Sequence, residues 1–240
     1  MFRILVANSK GGCGKTTLTS NLAGYFAAHQ RRTALIDCDP QGSSRAWCEQ
    51  RAAHLPRIEA IAGDDPAHGL RAGWLLRLTA TTEVVVIDTP AGLRSHEFAQ
   101  FVRHADVLLI PIVPSPIDLR ATLQFLDMVR RTAEVRAGTL RVGLVANRVR
   151  ERTTAARELE ATLQRLTQVA VARLRDSQAY VSLASHGRSL FDETGSAWRG
   201  HHDDWAPLLE WLRLRQQERQ RSPVVTPLVP LGARQAGTMS

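Results

Sequence analysis

Lysine is almost absent from this chain. Of the 31 basic side chains in 240 residues, only Lys10 and Lys15 are lysines, and all the others are arginines. Both lysines lie in one glycine-rich segment. A lysine carries a compact ammonium on a flexible stem, whereas a planar guanidinium would crowd the neighbouring glycines. This exception to the use of arginine therefore points to chemistry in that segment.

Cysteine and long apolar runs are also scarce. The chain has three cysteines, Cys13, Cys38 and Cys48, and no C-x-x-C pair, so neither a disulfide framework nor a zinc knuckle is expected. No apolar run reaches the roughly 18 residues that a membrane-spanning helix needs, and the first residues turn polar too soon for a signal peptide. We therefore expect reduced, mostly buried thiols in a cytoplasmic protein.

The overall composition is that of a globular protein. Hydrophobic residues make up 44% of the chain and charged residues 22%, which argues against wholesale disorder. We expect a single domain over residues 1–221. The segment 222–240 holds three prolines and no acidic residue, and we expect it to be a disordered tail. The formal charge of +8 suggests a polyanionic partner, either nucleic acid or an anionic membrane.

Short apolar segments alternate with amphipathic segments along the chain. The apolar segments predict buried strands at residues 2–7, 34–37, 84–88, 107–111 and 142–147, with a weaker one at 168–174. Helical periodicity occurs at residues 16–29, 43–53, 69–79, 95–104, 115–132, 153–167, 176–186 and 204–219. Continuous apolar strands are typical of a parallel sheet covered on both faces. The pattern predicts an α/β fold with a doubly wound, mostly parallel sheet, helices on both faces, and functional loops at the carboxyl ends of the strands.

The glycine-rich segment follows the first expected strand. Residues 8–17 read NSKGGCGKTT and precede a helical pattern, which is the strand–loop–helix context of a phosphate-binding loop. The backbone N–H groups of such a loop surround a phosphate, and the positive end of the helix points at the same place. Lys15 is expected to contact the β- and γ-phosphates, Thr16 to place its hydroxyl on Mg²⁺, and Thr17 to meet the α-phosphate. The expected backbone cradle comprises Gly11, Gly12, Cys13 and Gly14.

The loop departs from the usual pattern G-x-x-x-x-G-K-[ST], because Ser9 stands in place of the first glycine. It fits the deviant form K-G-G-x-G-K-T. Lys10 lies too near the start of the loop to reach the same phosphates as Lys15 within one chain without crowding it. Across a two-fold axis, Lys10 of a second subunit could neutralise charge on the γ-phosphate, as an arginine finger does.

Two further segments begin with a carboxylate and continue with turn-forming residues. Asp37 closes an expected strand and opens residues 37–43, and Asp88 closes another and opens residues 88–92. A Walker B segment has this form, because its carboxylate must emerge from the sheet beside Mg²⁺. Strands often end in Asp before an ordinary turn, so each segment alone leaves both interpretations open. Together with the glycine-rich loop, they predict a nucleoside-triphosphate site.

Residues 10–17, 37–43 and 88–92 resemble the motifs of the ParA/MinD family of deviant Walker A ATPases, which are P-loop NTPases. The resemblance covers almost all of residues 1–220. Residues 110–118 and 189–192 are most similar to the small ParF-type (type Ib ParA) partition ATPases. The resemblance implies an enzyme that binds ATP and Mg²⁺, forms an ATP-dependent sandwich homodimer and binds double-stranded DNA without sequence preference. It also implies slow ATP hydrolysis that a cargo-bound partner stimulates.

The resemblance implies roles for individual residues as well. Asp39 orients the attacking water, and Lys10 acts in trans. Asp37 and Asp88 support Mg²⁺ and its waters. Asn147 matches the position whose amide reads the edge of adenine, although an Asn at a strand end is also a common turn residue.

The same resemblance implies partners and a location. The stimulating partner would be a ParB-like or ParG-like protein or another cargo adaptor. The cargo would be a plasmid, a chromosome, or a protein assembly such as a chemoreceptor array or a carboxysome. We expect the protein to be associated with the nucleoid.

Arginines form the candidate surface for DNA. Residues 120–157 hold nine arginines against three acidic residues, and eight more arginines follow between positions 173 and 221. A dimer doubles such a face and can bind the duplex backbone through counterion release. A single arginine on a helix is more often merely solvated. We therefore expect the surface as a whole, rather than any one arginine, to bind DNA.

Two other functions and one other site are weighed against this interpretation. A MinD-like membrane ATPase would use an amphipathic last helix, but its apolar stripe, Trp205, Leu208, Leu209 and Leu212, is more often core. A metabolic P-loop enzyme of the dethiobiotin synthetase type has no need for Lys10.

Residues 201–204, His-His-Asp-Asp, are of the types that bind metal ions, but a helix cap at Asp204 would explain the acidic residues. The lack of cysteine after Cys48 excludes the family's iron–sulfur branch.

Overall fold

The computed structural model describes residues 1–63, 77–165 and 170–221. The strands are β1 (Phe2–Val6), β2 (Thr33–Asp37), β3 (Ile58–Ala62), β4 (Val84–Asp88), β5 (Val107–Ile112), β6 (Arg141–Val149) and β7 (Ala170–Arg175). They form a seven-stranded sheet in the order β3-β2-β4-β1-β5-β6-β7, and every pair of neighbours is parallel. The predicted doubly wound parallel sheet is confirmed.

Helices cover both faces of this sheet. They are α1 (Lys15–Ala28), α2 (Ser43–Glu49), α3 (Ser95–Val102), α4 (Pro116–Arg130), α5 (Ala133–Arg136), α6 (Thr154–Arg165), α7 (Gln178–Ala184) and α8 (Arg199–Arg221). Alternate residues of β1 belong to different cores: Ile4 packs on the side of α1, α2, α7 and α8, and Leu5 on the side of α3, α4 and α6. Burial on both faces explains why the strands appear as continuous apolar runs.

The topology places the glycine-rich loop at the switch point of the sheet. β1 lies between β4 and β5, with β2, β3 and β4 on one side of it and β5, β6 and β7 on the other. Ligands of doubly wound sheets bind at the carboxyl ends of the strands where the winding reverses. The loop leaves β1 at this point.

Two short elements are not predicted by the sequence pattern. β3 is hydrogen-bonded to β2 on one side and lies at the edge of the described sheet, and Glu59 interrupts its apolar run. α5 has only four residues, too few for a helical period to register. Most of the predicted helix 69–79 and all of the predicted tail 222–240 lie outside the described residues. The single domain over residues 1–221 and its tail therefore stay predictions.

The last helix begins earlier than the sequence suggests. α8 starts at Arg199, so the expected helix cap at Asp204 is wrong. Asp204 lies inside the helix, where its carboxylate accepts hydrogen bonds from the backbone and guanidinium of Arg175. The ring of His202 stacks on Phe191 with 5.6 Å between centroids. These tertiary contacts support a first helical turn that local periodicity does not reveal.

The apolar stripe of α8 belongs to the core. Trp205, Leu208 and Leu212 are at most 1% exposed and pack with α1 and the sheet. In the part of the chain that the structure describes, no helix is both long enough and apolar enough to cross a membrane.

The three cysteines are free thiols, and Cys13 and Cys38 are buried. Burial raises the pKa of Cys13 above its ordinary value and that of Cys48 to about 12. Both thiols are therefore protonated at neutral pH, which makes them poor nucleophiles.

A buried ion pair connects the end of α2 to the turn before α8. The side chains of Arg51 and Asp192 are 6% and 0% exposed, and their nearest nitrogen and oxygen lie 2.8 Å apart. Arg51 also donates to the carbonyl of Gly187, and the carboxylate of Asp192 accepts two hydrogen bonds from Ser189. Burial raises the pKa of Asp192, but the donors of Arg51 and Ser189 outweigh it and hold this pKa below its ordinary value.

We predict that Asp192→Ala lowers the free energy of unfolding by about 3 kcal/mol, because it leaves the Arg51 guanidinium buried without its counter-ion. The double variant Arg51→Met/Asp192→Leu should lose less stability than Asp192→Ala, since no buried charge remains. Urea denaturation measures both values. A double variant less stable than the single one would show that the unpaired charge is not the cause.

Candidate active site

The start of the glycine-rich loop is anchored to β5 and α4. Asn8 is fully buried, and its amide nitrogen donates to the carbonyl of Pro111 at 2.8 Å and to the hydroxyl of Thr122 at 3.0 Å. Its amide oxygen accepts the backbone N–H of Lys10 at 3.1 Å. Sequence reasoning missed Asn8. A polar amide directly after a buried strand was the available signal.

Two glycines give the loop its curvature. Gly12 and Gly14 have φ values of +74° and +95°, which favour glycine. A Cβ on Gly14 would clash with the amide nitrogen of Asn147, so this position also needs glycine for space. Ser9 does not have a positive φ, and serine therefore replaces the usual glycine there without strain.

The two lysines have different surroundings. Lys15 is 7% exposed, and its ammonium donates to the carbonyl of Lys10 at 3.2 Å, so this side chain folds back onto the loop. The ammonium of Lys10 lies 3.2 Å from a carboxylate oxygen of Asp118 in α4, and the Lys10 side chain is 39% exposed. The Lys15 ammonium therefore lies inside the loop, and that of Lys10 lies at its outer edge.

The sheet register brings the two predicted Mg²⁺ carboxylates together. Asp37 is the register partner of Asp88, and both end their strands. One oxygen of Asp88 accepts the hydroxyl of Thr16 at 2.9 Å. Its other oxygen is buried and has no hydrogen-bond partner among the described residues. An unpartnered carboxylate oxygen beside a hydroxyl suits a hard divalent cation, so these side chains fit the predicted Mg²⁺.

Asp37 has a second role that the sequence does not suggest. Its two oxygens accept the backbone N–H groups of Asp39 at 3.0 Å and Arg45 at 2.9 Å. It thereby shapes the loop before α2 and satisfies a free N–H at the start of that helix. Asp39 accepts the N–H of Gln41 at 3.0 Å through one oxygen, and its side chain is partly exposed.

The environment of Asp88 favours its protonated form when no cation is bound. The pKa of Asp88 is raised to about 7, mainly by burial and in part by the charge of Asp37, whereas the Thr16 hydroxyl and the charge of Lys15 oppose the shift. A bound cation would replace the proton.

Asn147 lies between the loop and a large cavity. It is 6% exposed, and its amide nitrogen donates to the carbonyl of Cys13 at 2.8 Å. The cavity has a volume of about 680 Å³ and is lined by Thr17, Asn147, Tyr180 and Val181 among others. This size is ample for a nucleoside. Because the amide nitrogen is engaged with the loop, the amide oxygen is the atom that Asn147 can offer to a base.

The backbone after Asn147 is irregular. Arg148 has a φ of +53°, and the pairing of β6 with β7 shifts register between Ala146 and Val149. Such a bulge redirects side chains at the end of a strand. Sequence reasoning also missed Val181, whose side chain is 63% exposed at the cavity.

For the protein without nucleotide and Mg²⁺, we predict that Asp88→Asn is stabilising at pH 8 and that the gain vanishes toward pH 4. The pKa of Asp88 is about 7 in the folded chain and near 3.9 when unfolded, so the stability that the protonated carboxyl provides is lost as the pH rises through 7. An amide avoids this loss, which amounts to about 4 kcal/mol for a pKa difference of about three. Thermal melts in EDTA measure the difference. A difference between the two proteins that does not change with pH would contradict the prediction.

Comparisons with known proteins identify relatives of this chain. The Maintenance of carboxysome distribution protein A of Halothiobacillus neapolitanus is 30% identical over 207 residues, which cover 85% of this chain and 92% of that protein. The Chromosome partitioning protein ParA of Myxococcus xanthus is 54% identical, but only over 69 residues, or 28% of this chain and 24% of that one.

Solved structures share the fold. An ATP complex of a McdA variant from Cyanothece has a TM-score of 0.66 and 18% identity, covering 94% of this chain and 99% of that one. The MinD cell division protein of Aquifex aeolicus has a TM-score of 0.63 and 16% identity, covering 94% of this chain and 100% of that one.

Residues 4–190 match the model of the family described as the CobQ/CobB/MinD/ParA nucleotide binding domain. The match includes the glycine-rich loop, both strand-end carboxylates and Asn147. It confirms the predicted resemblance to the ParA/MinD family, whereas the ParF-type subdivision stays a prediction. The chain therefore belongs to the CobQ/CobB/MinD/ParA nucleotide-binding family.

Proposed function

We propose that this chain is a positioning ATPase that forms a sandwich homodimer around ATP, binds double-stranded DNA without sequence preference, and moves or spaces a cargo. The observation that carries the proposal is the separation of the two lysines. Lys15 is folded onto its own loop, whereas Lys10 stands at the outer edge, where a second copy of the chain can meet it. A metabolic P-loop enzyme that works as a monomer has no use for Lys10 in this position.

Each site residue would contact a different part of ATP or its Mg²⁺. Lys15 and the loop backbone hold the phosphates, and Asn147 holds the base through its amide oxygen. Thr16 and Asp88 would bind Mg²⁺ directly, and Asp37 would act through water, since its oxygens already accept two N–H groups. The bound Mg²⁺ would neutralise charge on the β- and γ-phosphates. Asp39 has one carboxylate oxygen outside its turn, with which it can orient the attacking water.

Lys10 acts across the dimer in this proposal. In the single chain its charge is compensated by Asp118. When two chains meet face to face, the ammonium leaves Asp118 and contacts the γ-phosphate bound by the partner. Dimerisation then depends on an intact triphosphate, because ADP has no γ-phosphate to compensate the displaced charge. Hydrolysis, stimulated by a cargo-bound partner protein, separates the two chains.

The relatives suggest what the cargo is. The similarity to a carboxysome distribution protein extends over most of both chains, whereas the match to the ParA of Myxococcus xanthus is local. Of the cargoes considered, a protein assembly such as a carboxysome is therefore favoured over a plasmid or a chromosome. The net charge of +8 favours attraction to the DNA of the nucleoid, over which such a protein would move its cargo.

We predict that Lys10→Ala retains ATP binding but loses both the ATP-dependent dimer and ATP-dependent DNA retention. Lys15→Ala should lose ATP binding itself, because it removes the ammonium inside the loop. Isothermal titration measures binding, light scattering measures dimer formation, and DNA retention is compared with ATP, ADP and no nucleotide. Arg57→Ala, which removes an exposed charge at the start of β3, is the matched control. Equal retention of the wild type in all three states would refute the nucleotide switch.

We also predict that Asp118→Asn lowers the concentration of a non-hydrolysable ATP analogue needed for half-maximal dimer formation by about two- to fivefold. The variant releases Lys10 from a partly exposed ion pair, and such pairs are worth about 0.5–1 kcal/mol. Light scattering during titration with the analogue measures the shift. Asp127→Asn in the same helix is the control, since its carboxylate pairs with Arg130 instead. Asp118→Asn would argue against the proposal if it needed as much analogue as the wild type, or more.

A further inference from the structure

The two helical layers of the molecule differ in how their arginines are compensated. On the side of α1, α2, α7 and α8, most guanidinium groups have a carboxylate within ion-pair distance. These pairs are Arg45–Glu49, Arg51–Asp192, Arg175–Asp204, Arg188–Glu193, Arg213–Glu210 and Arg215–Glu218. The positive charge of α8, which is prominent in the sequence, is therefore largely neutralised within the chain.

The opposite layer carries uncompensated charge. Six exposed arginines on α4, α5, α6 and their flanking residues form no ion pair with any described residue: Arg120, Arg131, Arg136, Arg152, Arg157 and Arg165. Arg130 is the exception, paired with Asp127 at 3.8 Å. On the same segments, the described carboxylates without an ion pair are Glu134, Glu151 and Glu158. Free positive charge thus exceeds free negative charge on this layer.

These arginines share one surface. α4 and α6 contact each other, and both pack their apolar sides into the same core, Phe125 and Val129 from α4 with Leu159 and Leu163 from α6. Their outward sides therefore lie next to each other. α4 alone has a length of about 22 Å, long enough to follow several phosphates of a duplex.

The chemistry of this surface suits a phosphate backbone. Guanidinium groups bind phosphates through paired N–H donors. An anionic membrane would in addition need apolar side chains to insert. Within the described part of this layer, Ile117 is the one large apolar side chain that is strongly exposed, and it precedes Asp118 at the start of α4.

We infer that the outer surface of α4, α5 and α6 is the face that binds duplex DNA, and that the arginines of α8 contribute little. The inference rests on the proposed function and assigns its DNA contacts to residues. A carboxylate paired with an arginine compensates the positive charge of that arginine and repels the phosphates of the DNA. The unpaired arginines have no such neighbour within ion-pair distance.

The test compares two triple variants with the same change in charge. Arg131→Gln/Arg136→Gln/Arg157→Gln removes unpaired arginines from the proposed face. Arg45→Gln/Arg141→Gln/Arg213→Gln removes arginines whose side chains are at least 43% exposed but are ion-paired. Fluorescence anisotropy with two unrelated duplexes and Mg-ATP gives the affinity as a function of salt. Melting temperature and ATP titration establish that both variants fold and bind nucleotide.

The first variant should weaken binding more than tenfold for both duplexes and reduce the slope of log affinity against log salt by about 2–3, since each phosphate contact contributes about 0.9. The control should change the slope by less than about 1. Equal effects of the two variants, or an unchanged slope in the first, would overturn the assignment while leaving DNA binding intact. Wild-type protein that binds no duplex with ATP would overturn the proposed function as well. Both variants are also tested for binding to anionic vesicles. If the first variant loses vesicle binding but keeps its DNA binding, the face is a membrane surface instead.

Discussion

The proposed function depends on one interaction, the ion pair between Lys10 and Asp118. It fixes an ammonium at the rim of the glycine-rich loop and compensates its charge while the chain is alone. The pair is partly exposed, and such pairs are weak enough to be exchanged for a better partner. In the proposed dimer, a triphosphate held by a second copy would be such a partner, because it offers a larger negative charge. The proposed switch therefore requires no large rearrangement of the fold.

The glycine-rich loop is held in place by contacts at both of its ends. Asn8 fixes the start of the loop to β5 and α4, and Asn147 holds its other end through the carbonyl of Cys13. The N–H groups of the loop are thus preorganised before any phosphate arrives, which reduces the ordering cost of binding. Asn147 also borders the cavity proposed for the base, so one side chain contacts both the cavity and the loop. Asp88, with one unpartnered oxygen, completes the site on the side of the sheet.

Local patterns in the sequence account for much of this description. The apolar strands, the glycine-rich loop and the two strand-end carboxylates can be predicted because each is a run of neighbouring residues with its own period or spacing. Contacts between distant segments cannot be predicted from local patterns. Asn8 meets Thr122 across 114 positions and Asn147 meets Cys13 across 134, and no local pattern marks either pair. The early start of α8 could not be predicted for the same reason, since Phe191 and Arg175 support it from other parts of the chain. The compensation of the α8 arginines likewise appears only once their carboxylate partners are placed.

A crystal structure of the full chain with Mg²⁺ and a non-hydrolysable ATP analogue tests the role of Lys10 directly. We expect two chains face to face, with each Lys10 ammonium withdrawn from Asp118 and within hydrogen-bond distance of the γ-phosphate bound by the partner. A single chain with the analogue bound and Lys10 still paired to Asp118 would contradict it.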